Sequence, residues 1–475
     1  MEFKTDQQLP TFEPYVATPF DHYMSPVHLA SFLTFSLDDP FKAIPILEDG
    51  LERLIKYLPF LAGNVAFSTR VPGKENVFEI QPPTKQFLLQ HPIFRIKYHE
   101  QPIFSKYSRH VVADITPIPF SLAEDYPSPI LRFQANIMSD GIILCYSIHH
   151  TAIDGIGTTV ILDALAALCR SPNAGPEILR TNPLKEQQSR QKIFEAASAL
   201  SIKVHSQNGD LSSLCKPTPG SIPCTPASRK FVVNADKVAK LKTECATILK
   251  NQSNHYASKI SSNVILTAVI WLCTIRAIIK AEPTPMPTKS CAVLVAGARS
   301  KLRPKLPPSY LGNAVILHEA YTPLAAIISS TIGSNNRTHT TPRLYHDDIK
   351  FLAELASLVH TAQASITNET IRELISTRAA SDNWAAKTRP RDVIVSSLRN
   401  FPTYQHDFGP VLGPVRDFDF LEHRVPGEAW IFPARYKDRA SPWEVRLTLE
   451  PAVMGNVDKD RLMMWLGPRE ISKVD

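Results

Sequence analysis

The chain has 475 residues, 44% hydrophobic and 20% charged, with a formal charge of +7. That is the balance of a soluble globular protein with room for two or three cores. Its basic residues are scattered with no basic run, which argues against nucleic acid as a partner. Met1-Glu2-Phe3-Lys4-Thr5-Asp6 lacks the apolar core of a signal peptide, and no apolar stretch approaches the roughly 20 residues that span a bilayer, so a cytoplasmic protein is expected.

A proline-spaced arm leads to Thr18-Pro19-Phe20-Asp21-His22-Tyr23. Alternation from Val27 to Leu37 then predicts a strand with His28 at its start, and Leu47, Leu51, Leu54, Ile55 and Leu58 predict an amphipathic helix from Pro45. Leu131, Phe133, Ala135 and Ile137 alternate with polar residues up to the turn Ser139-Asp140-Gly141. The next run, Ile142 to His150, completes a hairpin whose two histidines, His149 and His150, face opposite ways. Val160, Ile161, Ala164, Leu165 and Leu168 predict a helix after Asp154-Gly155.

From Ser171 to about Ser228 periodicity weakens, apart from a helical piece near 187–205. The division read from this is an N-terminal domain over 1–180, a crossover linker over 181–228 and a C-terminal domain over 229–475. The second half holds a strand at 230–233, a helix to about 249 and an apolar helix from Asn263 through Trp271 to Ala281, stopped by Pro283, Pro285 and Pro287. A buried strand follows at 291–296, then helices within 347–379, strands at 392–397 and 443–449, and a short helix at 458–465. Forty prolines against 17 glycines mark long loops and crossovers.

Cysteines stand at 145, 169, 215, 224, 245, 273 and 291, an odd number with no Cys-x-x-Cys pair, so neither zinc nor redox chemistry is indicated. They read as small core residues in a reducing compartment. Cys145 belongs to the strand face opposite His150, a poor geometry for a Cys-His nucleophile. The chemistry therefore rests on His150-x-x-x-Asp154-Gly155, an imidazole at a strand end followed by the turn into a helix. A neutral imidazole, with an ordinary pKa near 6.5, is suited to general-base work at neutral pH.

His150-x-x-x-Asp154-Gly155 in mid-chain, together with Asp407-Phe408-Gly409 near the end, resembles the BAHD acyltransferases. Tyr57-Leu58-Pro59-Phe60-Leu61-Ala62-Gly63, the Trp271 helix, Ala298-Arg299-Ser300, Leu311-Gly312-Asn313-Ala314 and Glu444-Val445-Arg446-Leu447 extend the likeness over most of the chain. The form of the string at 407–413 is most similar to the fungal branch typified by trichothecene acetyltransferases. The resemblance implies an α/β fold of two pseudo-symmetric chloramphenicol-acetyltransferase-like domains, with a channel between them and the histidine at its middle. It also implies a monomer that uses acyl-coenzyme A, acetyl-coenzyme A above all, and a small-molecule acceptor, without a metal. His150 would be the base in direct transfer to a hydroxyl or amine, with no acyl-enzyme. Of the catalytic set His150, Asp154 and Asp407, the two aspartates are expected to hold loops, Asp154 by pairing with Arg299, while Gly155, Phe408 and Gly409 support them.

Two departures from the family strings matter. Pro410-Val411 stands where the family has Trp-Gly, and Ser397-Leu398 where it has Ser-Trp. The indole donor for an oxyanion is therefore missing, Ser396 or Ser397 is the hydroxyl candidate, and the donor stays unassigned. Lys259, Ser261 and Ser262, before the Trp271 helix, are candidates for coenzyme A phosphate or pantetheine contacts, or an ordinary helix cap beside a solvated lysine. His28 is a candidate for the acceptor side or a surface residue. Carrier-protein-dependent condensation, a non-acyl step such as cyclisation, and a non-catalytic binding protein are the alternatives on the same scaffold.

Overall fold

The computed structural model describes residues 9–103, 114–118, 126–198, 225–252, 259–281, 288–333, 344–386, 392–421, 425–437 and 440–467. Residues 199–224 of the expected crossover, Cys215, Cys224 and the prolines at 283, 285 and 287 lie outside these.

In the first half the chain forms β1 (Tyr15–Val16), β2 (His28–Ser36), α1 (Ile44–Tyr57), β3 (Asn64–Phe67), β4 (Phe78–Gln81), α2 (Lys85–Gln90), β5 (Phe94–Tyr98), β6 (Ser128–Pro129), β7 (Leu131–Met138), β8 (Gly141–His149), α3 (Gly155–Arg170) and α4 (Pro183–Ser198). The second half contributes β9 (Ala227–Val233), α5 (Ala235–Asn251), α6 (Ser262–Ala281), β10 (Lys289–Gly297), β11 (Val315–Pro323), α7 (Ala325–Gly333), α8 (His346–Ala364), α9 (Asn368–Ala380), β12 (Val393–Ser397), β13 (Asp417–Phe420), β14 (Glu428–Ile431), β15 (Trp443–Leu449), α10 (Pro451–Asp458) and α11 (Arg461–Leu466).

The predicted hairpin is β7–β8, and β8 pairs on its other side with β2, placing His28 opposite His149. These strands lie inside a five-stranded sheet of order β13-β2-β8-β7-β5. Period-2 alternation sorts β8 into two faces. Ile142, Leu144, Tyr146 and Ile148 join the large core with the leucines of α1 and α3, while Ile143 and Cys145 join a smaller one with Ala30, Phe32, Ile115 and Met138. A small sheet, β1-β4-β3-β6, lies beside the N-terminal arm.

The second half is built on a six-stranded sheet, β11-β10-β12-β14-β15-β9. Its central helix is α6, where the indole N–H of fully buried Trp271 donates to Ser290 Oγ at 2.8 Å and Ser290 donates to Asp392 at 2.6 Å. With 20 residues, α6 is long and apolar enough to cross a bilayer, against the sequence expectation that no stretch approaches that length. In this fold it is a buried core helix in contact with α5, α8 and α10.

The second half differs from expectation at two further points. The short helix expected at 458–465 is α11, which starts at Arg461 beneath an Asp460 cap, and α10, ending at Asp458, precedes it. Strands β11, β13 and β14 were not foreseen. β13 is the consequential one, because it leaves the second half to pair antiparallel with β2, Asp417 opposite Thr34 and Phe420 opposite Ser31. Phe418 and Phe420 thereby enter the large N-terminal core. Arg435 holds Asp417 at 2.9 Å, and Arg446, on β15, holds Asp419 at 2.7 Å.

Candidate active site

At the end of β8 the two histidines meet different surroundings. His149 is fully buried, with its ring edge-on to His28 at 5.0 Å, and burial holds its pKa well below the ordinary imidazole value. His28 is buried as well, donates from Nε2 to the Pro129 carbonyl at 2.9 Å, and is pushed down to about 4 by burial. The surface alternative for His28 is thus corrected: the strand pairing carries it inside the sheet. His150 is half-buried. Its N–H donates to the Val27 carbonyl at 2.9 Å, and its own carbonyl accepts from Asn313 Nδ2 at 2.8 Å.

The turn from His150 to α3 folds back on the His149 carbonyl, which accepts from Ala152 N and Ile153 N. Asp154 is the N-cap of α3, Oδ1 accepting from Gly157 N at 2.8 Å. Arg299 grips the same carboxylate with two bonds, Nη1 to Oδ2 at 2.7 Å and Nη2 to Oδ1 at 2.8 Å, and Ala314 N donates to Oδ2 at 3.1 Å. Four donors occupy both carboxylate oxygens, which leaves Asp154 to anchor the loop rather than to orient an imidazole.

Arg299 also binds the carbonyls of Tyr310 and Gly312, both at 2.8 Å. Segment 310–314 is gripped from the first half too: Glu186 on α4 accepts from Leu311 N at 3.1 Å, and Asp21 Oδ1 accepts from Asn313 N at 3.0 Å. Gly157 lets α3 lie directly on this segment, since a Cβ there would stand 2.0 Å from the Leu311 carbonyl oxygen. Burial raises Asp21 to about 6 and Glu186 to about 7, against the opposing hydrogen bonds from Thr18 and Asn313 and from Thr181 and Leu311. Both line a cavity of about 20 Å³ together with Tyr15, Thr151, Arg190 and Gly312, room for about one water molecule.

Gly155 meets Phe401 at 3.1 Å and Leu398 at 3.8 Å, measured from the position of an added Cβ. The end of β12 therefore reaches the start of α3, while Ser396 and Ser397, consecutive in that strand, point to opposite faces of the six-stranded sheet. Both serines are half-buried, and Ser397 Oγ accepts from Arg399 N at 3.4 Å.

Asp407 lies elsewhere. It is exposed, its carboxylate accepts from Gly409 N at 3.0 Å, and its carbonyl accepts from Arg170 at 2.7 Å. Arg170 ends the 16-residue α3, which puts Asp407 about 24 Å along the helix from the His150 end. Asp407, placed in the catalytic set as an aspartate expected to hold a loop, thus lies in a loop remote from the imidazole. Phe408 packs on Phe35 with ring centroids 5.0 Å apart, and Gly409 adopts φ +96° against the Arg170 backbone, a conformation that favours glycine.

Ser261 Oγ caps α6 by accepting from Val264 N at 3.2 Å, while Lys259 is exposed and Ser262 half-buried. Among the described residues no group of three or more His, Cys, Asp or Glu side chains is placed to hold a metal. Sequence reasoning missed Asp21, Glu186 and Gly157. Glycine two residues into the helix after Asp154-Gly155 was a readable sign of close packing; the partners of the two acids, 125 and 292 residues away, were not readable locally.

The Transferase family model matches residues 109–463, and the model of the trichothecene 3-O-acetyltransferase-like N-terminal domain matches 30–169. The communesin N16 acyltransferase cnsK of Penicillium expansum is 32% identical, over 96% of this chain and 98% of its own. The fumigaclavine B O-acetyltransferase easN of Aspergillus fumigatus is 27% identical over 97% and 99%. Among solved structures, TRI101 of F. sporotrichioides, complexed with coenzyme A and T-2, superposes with a TM-score of 0.72 at 16% identity over 96% of this chain and all of that one. Vinorine synthase gives 0.64 at 14% identity over 100% and 97%. These two establish the two-domain α/β architecture.

Proposed function

This chain belongs to the Transferase family, as an acyltransferase of the BAHD type and its fungal branch, and from that premise we propose that it transfers an acyl group, acetyl above all, from acyl-coenzyme A to a hydroxyl of a fungal-type secondary metabolite. The observation that carries the reading is the pinned loop in a chain that matches named acyltransferases over nearly their whole length: a half-buried imidazole on a turn held by Asp154–Arg299. The coenzyme A in the TRI101 complex supports the donor class. In this reading the reaction runs in the cytoplasm.

The acceptor oxygen attacks the thioester carbonyl while the His150 imidazole takes its proton. The tetrahedral adduct collapses with cleavage of the carbon–sulfur bond, and the imidazolium returns the proton to the leaving thiolate. Products are the ester and free coenzyme A, and no bond to the protein forms. The base contributes roughly 10²- to 10⁴-fold, and the remainder comes from holding the two substrates together. Because the communesin relative is named for position N16, amines belong in the acceptor panel beside alcohols.

The test is release of free thiol from acetyl-coenzyme A with that panel, wild type beside His150→Ala and Asp154→Ala. Acceptor-dependent thiol release should vanish in His150→Ala at unchanged thermal stability. Asp154→Ala should lose activity and also about 3–5 kcal/mol of stability, because it strands a buried guanidinium. Undiminished turnover by His150→Ala would remove the base from the mechanism, and equal stability of the two variants would remove the division of labour.

A further inference from the structure

Asp154–Arg299 fixes the far end of the active-site turn, and at its histidine end the His150 carbonyl is held by a relay that starts in the N-terminal arm. We propose that Asp21, acting through Asn313, is a positioning residue for His150. The proposal rests on the acyltransfer reading, and its test separates the two.

Asp21 sits in the turn after Thr18, where its Oδ2 accepts from Thr18 N at 2.6 Å and from Thr18 Oγ1 at 2.7 Å. Its other oxygen, Oδ1, accepts from both Asn313 N and Asn313 Nδ2 at 3.0 Å. The same Nδ2 donates to the carbonyl of His150 at 2.8 Å and to that of Thr151 at 3.0 Å. Asn313 and Thr151 are fully inaccessible and Asp21 is 5% exposed, so these bonds are made largely out of bulk solvent.

Three oxygen acceptors around one amide nitrogen fix which way Asn313 faces, and Asn313 Oδ1 is left buried without a partner. That vacancy is the cost of the arrangement, because the flipped amide would turn its oxygen toward three other oxygens. Asp21 is the member that fixes Asn313 at both backbone and side chain. Asn313 in turn binds the carbonyls of both His150 and Thr151, next to the imidazole that must sit within a few tenths of an ångström of the acceptor proton. None of these four groups touches the reacting atoms. Their effect is on where the imidazole is held.

The isosteric change Asp21→Asn keeps the volume but puts an NH₂ against either the Thr18 donors or the Asn313 donors. The full-length variant should lose at least tenfold in kcat, keep KM for acetyl-coenzyme A within twofold, and show faster backbone hydrogen exchange confined to peptides covering 150–154 and 310–314. Asn313→Asp, which faces the same oxygens with a carboxylate, should exceed that loss. Thr18→Ala removes one donor from Oδ2 and leaves Oδ1 alone, and should stay within twofold of wild type; Asp21→Glu should recover part of kcat.

An Asp21→Asn variant with kcat within twofold of wild type overturns the proposal. So does a kcat loss accompanied by exchange rising across the whole first half, which marks a general structural role. If the wild type transfers to no acceptor in the panel, the acyltransfer reading fails instead, and the exchange arm decides alone: unchanged exchange at 150–154 in Asp21→Asn overturns the relay.

Discussion

Buried ionisable residues around the 310–314 segment make the protein's stability depend on pH in a residue-specific way. Glu186 is raised from 4.5 to about 7 in the fold, so between these values the folded state binds more protons than the unfolded chain and stability falls as pH rises. Glu186→Gln removes that contribution. Its melting temperature relative to wild type should climb between pH 5 and pH 8, by an amount corresponding to on the order of 3 kcal/mol at most, and a difference independent of pH would refute the assignment. The buried neutral histidines act oppositely. His22 and His28, each lowered to about 4 by burial, withdraw stability as pH falls from 6.5 toward 4, because only the unfolded chain takes up their protons. At this scale the sequence was legible where the signal was local. His150, Asp154 and Gly155 are a strand end, a cap and a turn within six residues. Asp21 carries no such signal, since what gives it meaning is an asparagine 292 positions away.

Among the elements, α3 links the two motifs of the chain, its first turn capped by Asp154 and its last residue, Arg170, bound to the Asp407 carbonyl. Its seating depends on Gly157, where added carbon would meet backbone rather than a yielding side chain. Gly157→Ala should therefore cost 1–3 kcal/mol or more in urea unfolding and at least tenfold in turnover, by lifting the helix start from the Leu311 carbonyl. Gly455, inside α10 with nothing within 4 Å of an added Cβ, is the control, and alanine there should stabilise by about 0.5–1 kcal/mol. If the two alanines behave alike, close packing of α3 is not what the glycine serves. Most elements were readable from periodicity: β2, the β7–β8 hairpin, α1, α3, α6 and β15 have long apolar patterns. β13 and β14 are only four residues each, and the alternation of Asp417-Phe418-Asp419-Phe420 gains meaning only from its pairing with β2.

For the whole molecule, β13 comes from the second half of the chain and closes the edge of the first sheet. A chain ending at 180 would expose the backbone of Ser31 to Thr34 and the core face that Phe418 and Phe420 cover. It should elute from size exclusion as aggregate or oligomer, whereas a folded monomer would show that the first half is self-sufficient. The second half holds β13 from behind through Arg435 and Arg446. The crossing also sets a clock on synthesis. A ribosome adding 5–20 residues per second completes residue 420 roughly 10–50 s after residue 180. Throughout that interval the nascent first sheet has an open edge at β2, the backbone that β13 later covers.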